Sequence, residues 1–93
     1  MMKVASFVEG ALIRACRNSV DNIAEDTSFF NDLGLDSIDF INVVYEIDSH
    51  YGIKIPIGQW MSEVNEGEAN MSKYFVMGNF VDAVNRLVEE KVS

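Results

Sequence analysis

Asp32-Leu33-Gly34-Leu35-Asp36-Ser37-Ile38-Asp39-Phe40 is the stretch that decides the fold, because it marks where a long polar loop becomes a helix. Asp36 is a favourable N-cap residue, and Asp39 puts a second acid in the first turn, at the positive end of the helix dipole. Gly34 permits a turn that other residues resist, and Leu35 anchors the loop just before the helix. From there Phe40, Val43, Val44, Ile47 and Tyr51 recur at helical spacing and define a core stripe. The helix is expected to reach about Tyr51 and to stop at Gly52. Ile38, Ile41 and Tyr45 lie off that stripe, which makes them candidates for a partner surface.

Upstream, residues 3–17 place Val4, Phe7, Val8, Ala11, Leu12, Ala15 and Cys16 at helical spacing. Arg14 and Arg17 fall in the last turn, where cations offset the dipole. Residues 18–36 are rich in turn formers and read as a long loop. Ile23, Phe29, Phe30, Leu33 and Leu35 should pin that loop to the core, and ordered loops of this length are often functional.

Downstream, Ile53-Lys54-Ile55-Pro56-Ile57 has no second strand-like run to pair with, so it reads as an extended connector. Pro56 suits a helix start, and a short helix from about Ile57 to Val64 follows. Residues 65–70 form a loop, and Ser72 is expected to cap a last helix with core positions Val76, Phe80, Ala83, Val84 and Leu87. The expectation is a single all-α domain spanning 1–93, a bundle of three long helices plus one short helix.

The charge limits the partners. Seven Lys and Arg against 15 Asp and Glu give a net charge of −8. Nucleic-acid binding relies on cations neutralising phosphates, so DNA and RNA are excluded as main partners. An anionic membrane surface is equally unsuited, and partners with basic patches are favoured. From Asp21 to Tyr51 there are eight acids (Asp21, Glu25, Asp26, Asp32, Asp36, Asp39, Glu46, Asp48) and no Lys or Arg. The lone Cys16 makes no internal disulfide and no zinc site, which fits a reducing compartment; it reads as a small buried hydrophobe. No apolar run approaches the roughly 18 residues of a membrane span, and Glu9 interrupts any signal-peptide core, so a cytoplasmic monomer without stable membrane insertion is expected. The stretch Asp21–Asp26 fails as a calcium loop, lacking an oxygen ligand at its third position and the central glycine.

Ser37 is the candidate functional residue. By position alone it could be a cap or solvent-exposed filler. Its hydroxyl, however, stands at the positive end of a helix dipole among backbone N–H groups, which suits an attached phosphate. Asp36 and Asp39 flank it and can attract a basic enzyme or a metal ion that enzyme carries. A serine nucleophile would need a base within hydrogen-bond reach. The only histidine, His50, lies 13 residues down the same helix, roughly 20 Å away at 1.5 Å per residue, and the G-x-S-x-G elbow is absent. A serine that is modified fits better than a serine that attacks, and no catalytic residue or metal site is expected. His50 itself reads as an exposed helix-end residue.

Residues 32–39, followed by an amphipathic acidic helix and Ile55-Pro56, resemble the acyl carrier protein family over nearly the whole chain. The resemblance implies that Ser37 receives a 4'-phosphopantetheine arm from coenzyme A, whose thiol carries an acyl thioester. The protein would then be a carrier in fatty acid and lipid biosynthesis and no enzyme. Its implied partners are a phosphopantetheinyl transferase, ketosynthase and other elongation enzymes, and an acyltransferase. Docking would involve Asp36, Ile38, Asp39, Ile41, Tyr45, Glu46 and Asp48. The acyl chain would slip between the helices, among Val43, Val44, Ile47, Phe80 and Val84. After Pro56 the chain carries Trp60, a longer interval before the last helix, and Tyr74-Phe75-Val76. That part resembles the specialised carriers of very-long-chain acyl groups for lipid A. Asn42 and Ser49 stand where many fatty-acid carriers have acids, Lys54 replaces a frequent acid, Tyr45 is larger than the usual contact residue and Phe40 bulkier than the usual small one, which counts against the housekeeping fatty-acid enzymes as the preferred partners. The alternatives are a carrier of a polyketide, an amino acid or a short acyl group, or an unmodified acidic helical interaction module.

Overall fold

A computed structural model describes residues 2–16, 23–68 and 70–92. Four helices follow one another: α1 (Met2–Ala15), α2 (Ser37–Tyr51), α3 (Ile57–Asn65) and α4 (Met77–Val92), with a 3-10 turn at Met71–Lys73 before the last. Among the described residues the only β-type pairing is a single antiparallel bridge between Ser28 and Val76. The all-helical bundle expected from the apolar spacing is therefore the fold, with an added 3-10 turn.

α2 has the bounds its end signals specify. The Asp36 carboxylate accepts the Asp39 N–H at 2.8 Å, and Gly52 closes the helix in the left-handed region at φ 64°. Phe40, Val43, Val44 and Ile47 are buried, while Tyr51 is half-buried at the end of the stripe. α1 stops at Ala15, two residues short of the expected end, with the Cys16 N–H still donating to the Leu12 carbonyl at 3.0 Å. Arg14 stands in its last turn as expected, and Arg17 lies outside the described residues. Cys16 packs against the core but is only half-buried, where the sequence suggested a small buried hydrophobe.

The loop before α2 is pinned as its apolar residues require. Ile23, Phe29 and Leu35 are buried, and Phe30 and Leu33 pack against the core half-buried.

The start of α4 corrects the sequence reading. Ser72 caps nothing there: it sits in the 3-10 turn, and its hydroxyl donates to the Asn70 side chain at 2.7 Å. α4 begins five residues later, at Met77. Its first N–H groups find their acceptors in the distant loop instead, Met77 on the Thr27 carbonyl at 3.0 Å and Gly78 on the Glu25 carbonyl at 2.8 Å. A Cβ on Gly78 would lie 3.3 Å from that Glu25 oxygen, so the close approach depends on glycine. The Phe29 N–H adds a bond to the Phe75 carbonyl at 3.0 Å. Val76, expected as a helical core position, precedes the helix and is half-buried; Phe80 and Val84 are buried, Ala83 and Leu87 half-buried.

The centre is aromatic. Phe29, Phe40, Phe75 and Phe80 are fully buried, and Phe40 touches each of the other three at a ring separation of 5.5 Å. Trp60 extends this cluster under α3, packing edge-on against Phe80 at 6.1 Å. Trp60, Tyr74 and Phe75 are thus structural in the first instance, as aromatics in a small helical domain usually are.

Candidate functional site

The site is built from the end of the loop and the first turns of α2. Leu35 is buried, and its N–H donates to the Phe29 carbonyl at 3.2 Å, which fixes the chain two residues before Ser37. Gly34, at φ 70°, makes the turn into that anchor, a backbone angle that L side chains rarely adopt. On the other side, the Phe40 N–H closes onto the Asp36 carbonyl at 3.0 Å. Ser37 is therefore held between two fixed points, and its side chain is exposed.

That arrangement fits a covalently attached phosphodiester. Among the described residues no side-chain hydrogen bond occupies the Ser37 hydroxyl, and the backbone around it belongs to the first turn of α2, where N–H groups lack intrahelical partners. Asp36 is exposed beside it, with one carboxylate oxygen engaged as the cap. The hydroxyl is open to an external enzyme, and the rigid turn beneath it presents a defined target.

No base accompanies it. His50 stands at the far end of α2, exposed as expected, but its ring is not idle: it stacks on Phe7 of α1 at 4.0 Å and meets Tyr51 edge-on at 4.7 Å. Among the described residues no group of three or more His, Cys, Asp or Glu is arranged to hold a metal ion; Asp21 and Asn22 of the rejected calcium loop lie outside them.

The residues expected to dock partners divide into two sets. Ile38, Ile41 and Tyr45 share the outer face of α2 and are 71%, 37% and 66% exposed, large apolar groups left in water next to Ser37. Asp39 is half-buried in the first turn. Glu46 and Asp48 have partners within the fold. Glu46 takes the Arg14 guanidinium across the α1–α2 contact. Asp48 accepts the Ile55 N–H at 3.0 Å and so ties the connector to α2. Burial pushes the Asp48 carboxyl above the usual carboxylate range, while the bond from Ile55 and the charge of Lys54 act the other way. Neither tie was legible in the sequence, because each joins residues from different elements.

Val43, Val44, Ile47, Phe80 and Val84 do meet in one core cluster, each fully or almost fully buried. In this structure they are packed on one another, so a chain entering there must displace them.

Beyond α2 the structure reveals a group the sequence did not assemble. Trp60 and Tyr74 stack with ring centres 4.6 Å apart and planes within 1° of parallel. The Tyr74 hydroxyl donates to Glu63 at 2.6 Å, the Gln59 amide donates to the same carboxylate at 3.1 Å, and Lys73 approaches it at 3.8 Å. The Tyr74 and Gln59 bonds hold the Glu63 carboxyl below its ordinary range, and the bond to Glu63 raises the Tyr74 hydroxyl.

The family described as "Phosphopantetheine attachment site" matches residues 6–64. The chain is 40% identical over 74 residues to "Acyl carrier protein AcpXL" of Mesorhizobium japonicum, covering 80% of each chain. It is 44% identical over 71 residues to the protein of the same name from Brucella melitensis, covering 76% of each, and 39% identical over 89 residues to that of Rhizobium meliloti, covering 94% of each.

Proposed function

The chain belongs to the acyl carrier protein family with its phosphopantetheine attachment site, and from that premise we propose that Ser37 is the residue that bears the arm. The family is one of carriers, not catalysts, and its cofactor is covalent 4'-phosphopantetheine. The observation that supports Ser37 is its exposure at the start of α2, between the buried Leu35 and the Asp36 cap. Attachment joins the Ser37 oxygen to the phosphorus of coenzyme A's pantetheine-bearing phosphate; the serine proton leaves and the adenosine bisphosphate portion departs. Once in place, the arm supplies a thiol that holds the acyl group as a thioester. The protein's own residues then supply address and shelter.

The address is the outer face of α2. Asp36 and Asp39 attract a basic partner, and Ile38, Ile41 and Tyr45 give it an apolar footing. Glu46 and Asp48 lend negative charge from positions already tied to Arg14 and Ile55. The family implies synthase and transferase partners; we take these as a phosphopantetheinyl transferase, a ketosynthase with other elongation enzymes, and an acyltransferase. The shelter is the core among Val43, Val44, Ile47, Phe80 and Val84. We place the protein in the cytoplasm as a single-domain monomer over 1–93; no helix among the described residues is long and apolar enough to cross a membrane.

For cargo we propose very long acyl chains destined for lipid A. The support is the rebuilt segment after Pro56, where Trp60, Tyr74 and Phe75 add aromatic bulk to the core. A polyketide, amino-acid or short acyl cargo is the second reading, and intact mass of the protein from its own cells separates them. The attachment itself is tested with coenzyme A and a phosphopantetheinyl transferase. The wild type should gain one phosphopantetheine by intact mass and Ser37→Ala none. A wild type that stays bare, or an Ala variant that gains the arm, overturns the assignment.

A further inference from the structure

Five of the six aromatic rings at the centre of the molecule are phenylalanines, side chains without a polar handle: Phe29, Phe30, Phe40, Phe75 and Phe80 pack on one another, with Phe80 also edge-on to Trp60 and Phe75 edge-on to Tyr74. The sixth, Trp60, is covered differently. One face of its indole is closed by the Tyr74 ring, and Tyr74 belongs to no long helix but to the short segment between α3 and α4, directly after the 3-10 turn. Trp60 is also the one buried residue of α3, and the stack ties that helix to the segment opposite. A polar clasp at its rim holds the lid down: the Tyr74 hydroxyl on Glu63, with Gln59 and Lys73 on the same carboxylate and the Lys73 ammonium 5.2 Å above the Tyr74 ring.

We propose that Tyr74, clasped by Glu63, is a length-sensing wall of the cargo compartment, which short acyl chains leave shut and long ones lift off Trp60. The inference deepens the carrier reading and rests on it. Its physical basis is the order of contacts. A chain inserted among Val43, Val44, Ile47 and Val84 meets Phe80, and Phe80 bears edge-on against Trp60. Close-packed interiors transmit displacement, so each added methylene is felt further along that line. The first member of the line that can yield without moving a long helix is Tyr74. Moving it breaks the Trp60 stack, an edge contact with Phe75, the Lys73 contact over the ring and one hydrogen bond to a charged acceptor, all at the half-exposed edge of the core, whereas moving any of the buried phenylalanines opens the closed cluster.

Trp60 is the only tryptophan in the chain, so its emission reports on the wall directly. The full-length protein is loaded by a phosphopantetheinyl transferase with octanoyl-, palmitoyl- and hexacosanoyl-coenzyme A, and loading is verified by intact mass. Trp60 emission and its quenching by acrylamide are then compared with those of the protein carrying the bare arm. Octanoyl cargo should leave both unchanged; hexacosanoyl cargo should shift emission to the red and raise quenching at least twofold. Tyr74→Phe keeps the ring and removes the clasp, and Glu63→Ala removes the same clasp from a half-buried position on α3, away from the Trp60 stack; both should produce the change at palmitoyl length. Emission and quenching that stay constant across verified loadings overturn the wall, as do variants whose response by length equals that of the wild type. If the mass shows no loading at all, the carrier reading itself fails and the wall fails with it.

Discussion

A single hydroxyl and a single thiol show what position does to chemistry in this chain. Ser37 is an ordinary serine made available by its surroundings: a left-handed Gly34, a buried Leu35 and the Asp36 cap hold it in the open. Cys16 is the opposite case. It is half-buried at the end of α1, and desolvation, with a smaller contribution from the negative charge of Asp39, raises its thiol above the ordinary value. A raised thiol holds less thiolate at neutral pH and reacts more slowly. In the protein carrying its arm, iodoacetamide at neutral pH should therefore alkylate the flexible arm thiol well before Cys16. Peptide mapping at partial modification checks the order; Cys16 reacting first would contradict it. Asp48 teaches a related lesson, since a carboxylate counted among docking acids also serves as the acceptor for a backbone N–H of the connector.

At the scale of elements, α2 carries its own instructions and α4 does not. α2 starts at a side-chain cap and stops at a glycine, both local features. The stop rests on the left-handed conformation of Gly52, which costs an L residue about 1–2 kcal/mol. The Lys91 side chain lies 3.2 Å from where a Cβ would be, but its flexible end can move aside. Gly52→Ala should therefore lower stability by about 1 kcal/mol after the offset from a stiffer unfolded chain. In a domain of this size that is a fall in Tm of about 4–8 °C, measurable by thermal unfolding. An unchanged Tm would show that the helix end had found another geometry. α4, by contrast, takes its first acceptors from Glu25 and Thr27, some fifty residues earlier in the chain. Ser72 looked like a cap because serine is good at capping, yet nothing local tells a serine that the helix will begin at Met77.

For the whole molecule, the excess of acids sets how it meets others. A net charge of −8 over 93 residues, with no Lys or Arg between Asp21 and Tyr51, gives a long-range attraction to basic partners. Each exposed ion pair formed on docking is worth about 0–1 kcal/mol. The attraction fades beyond a screening length of about 8–10 Å at physiological salt. Docking to a phosphopantetheinyl transferase should thus be fast and weak, and KM for this protein should rise as salt is added, with kcat changing little. A KM independent of salt would show that the apolar face of Ile38, Ile41 and Tyr45 carries docking alone.

Local rules settled the helical class, both ends of α2, the pinned loop and the exposed serine, because period, cap and turn signals act over a few neighbouring residues. The core membership of Phe40, Val43, Val44, Ile47, Phe80 and Val84 was legible for the same reason. Contacts between distant segments belong to the tertiary structure: Arg14 with Glu46, Asp48 with Ile55, the loop carbonyls that start α4, and Tyr74 closed over Trp60 by Glu63. Each depends on how the helices lie side by side, and the energy that brings such partners together comes from burying the shared apolar core, a quantity that no short window of residues contains.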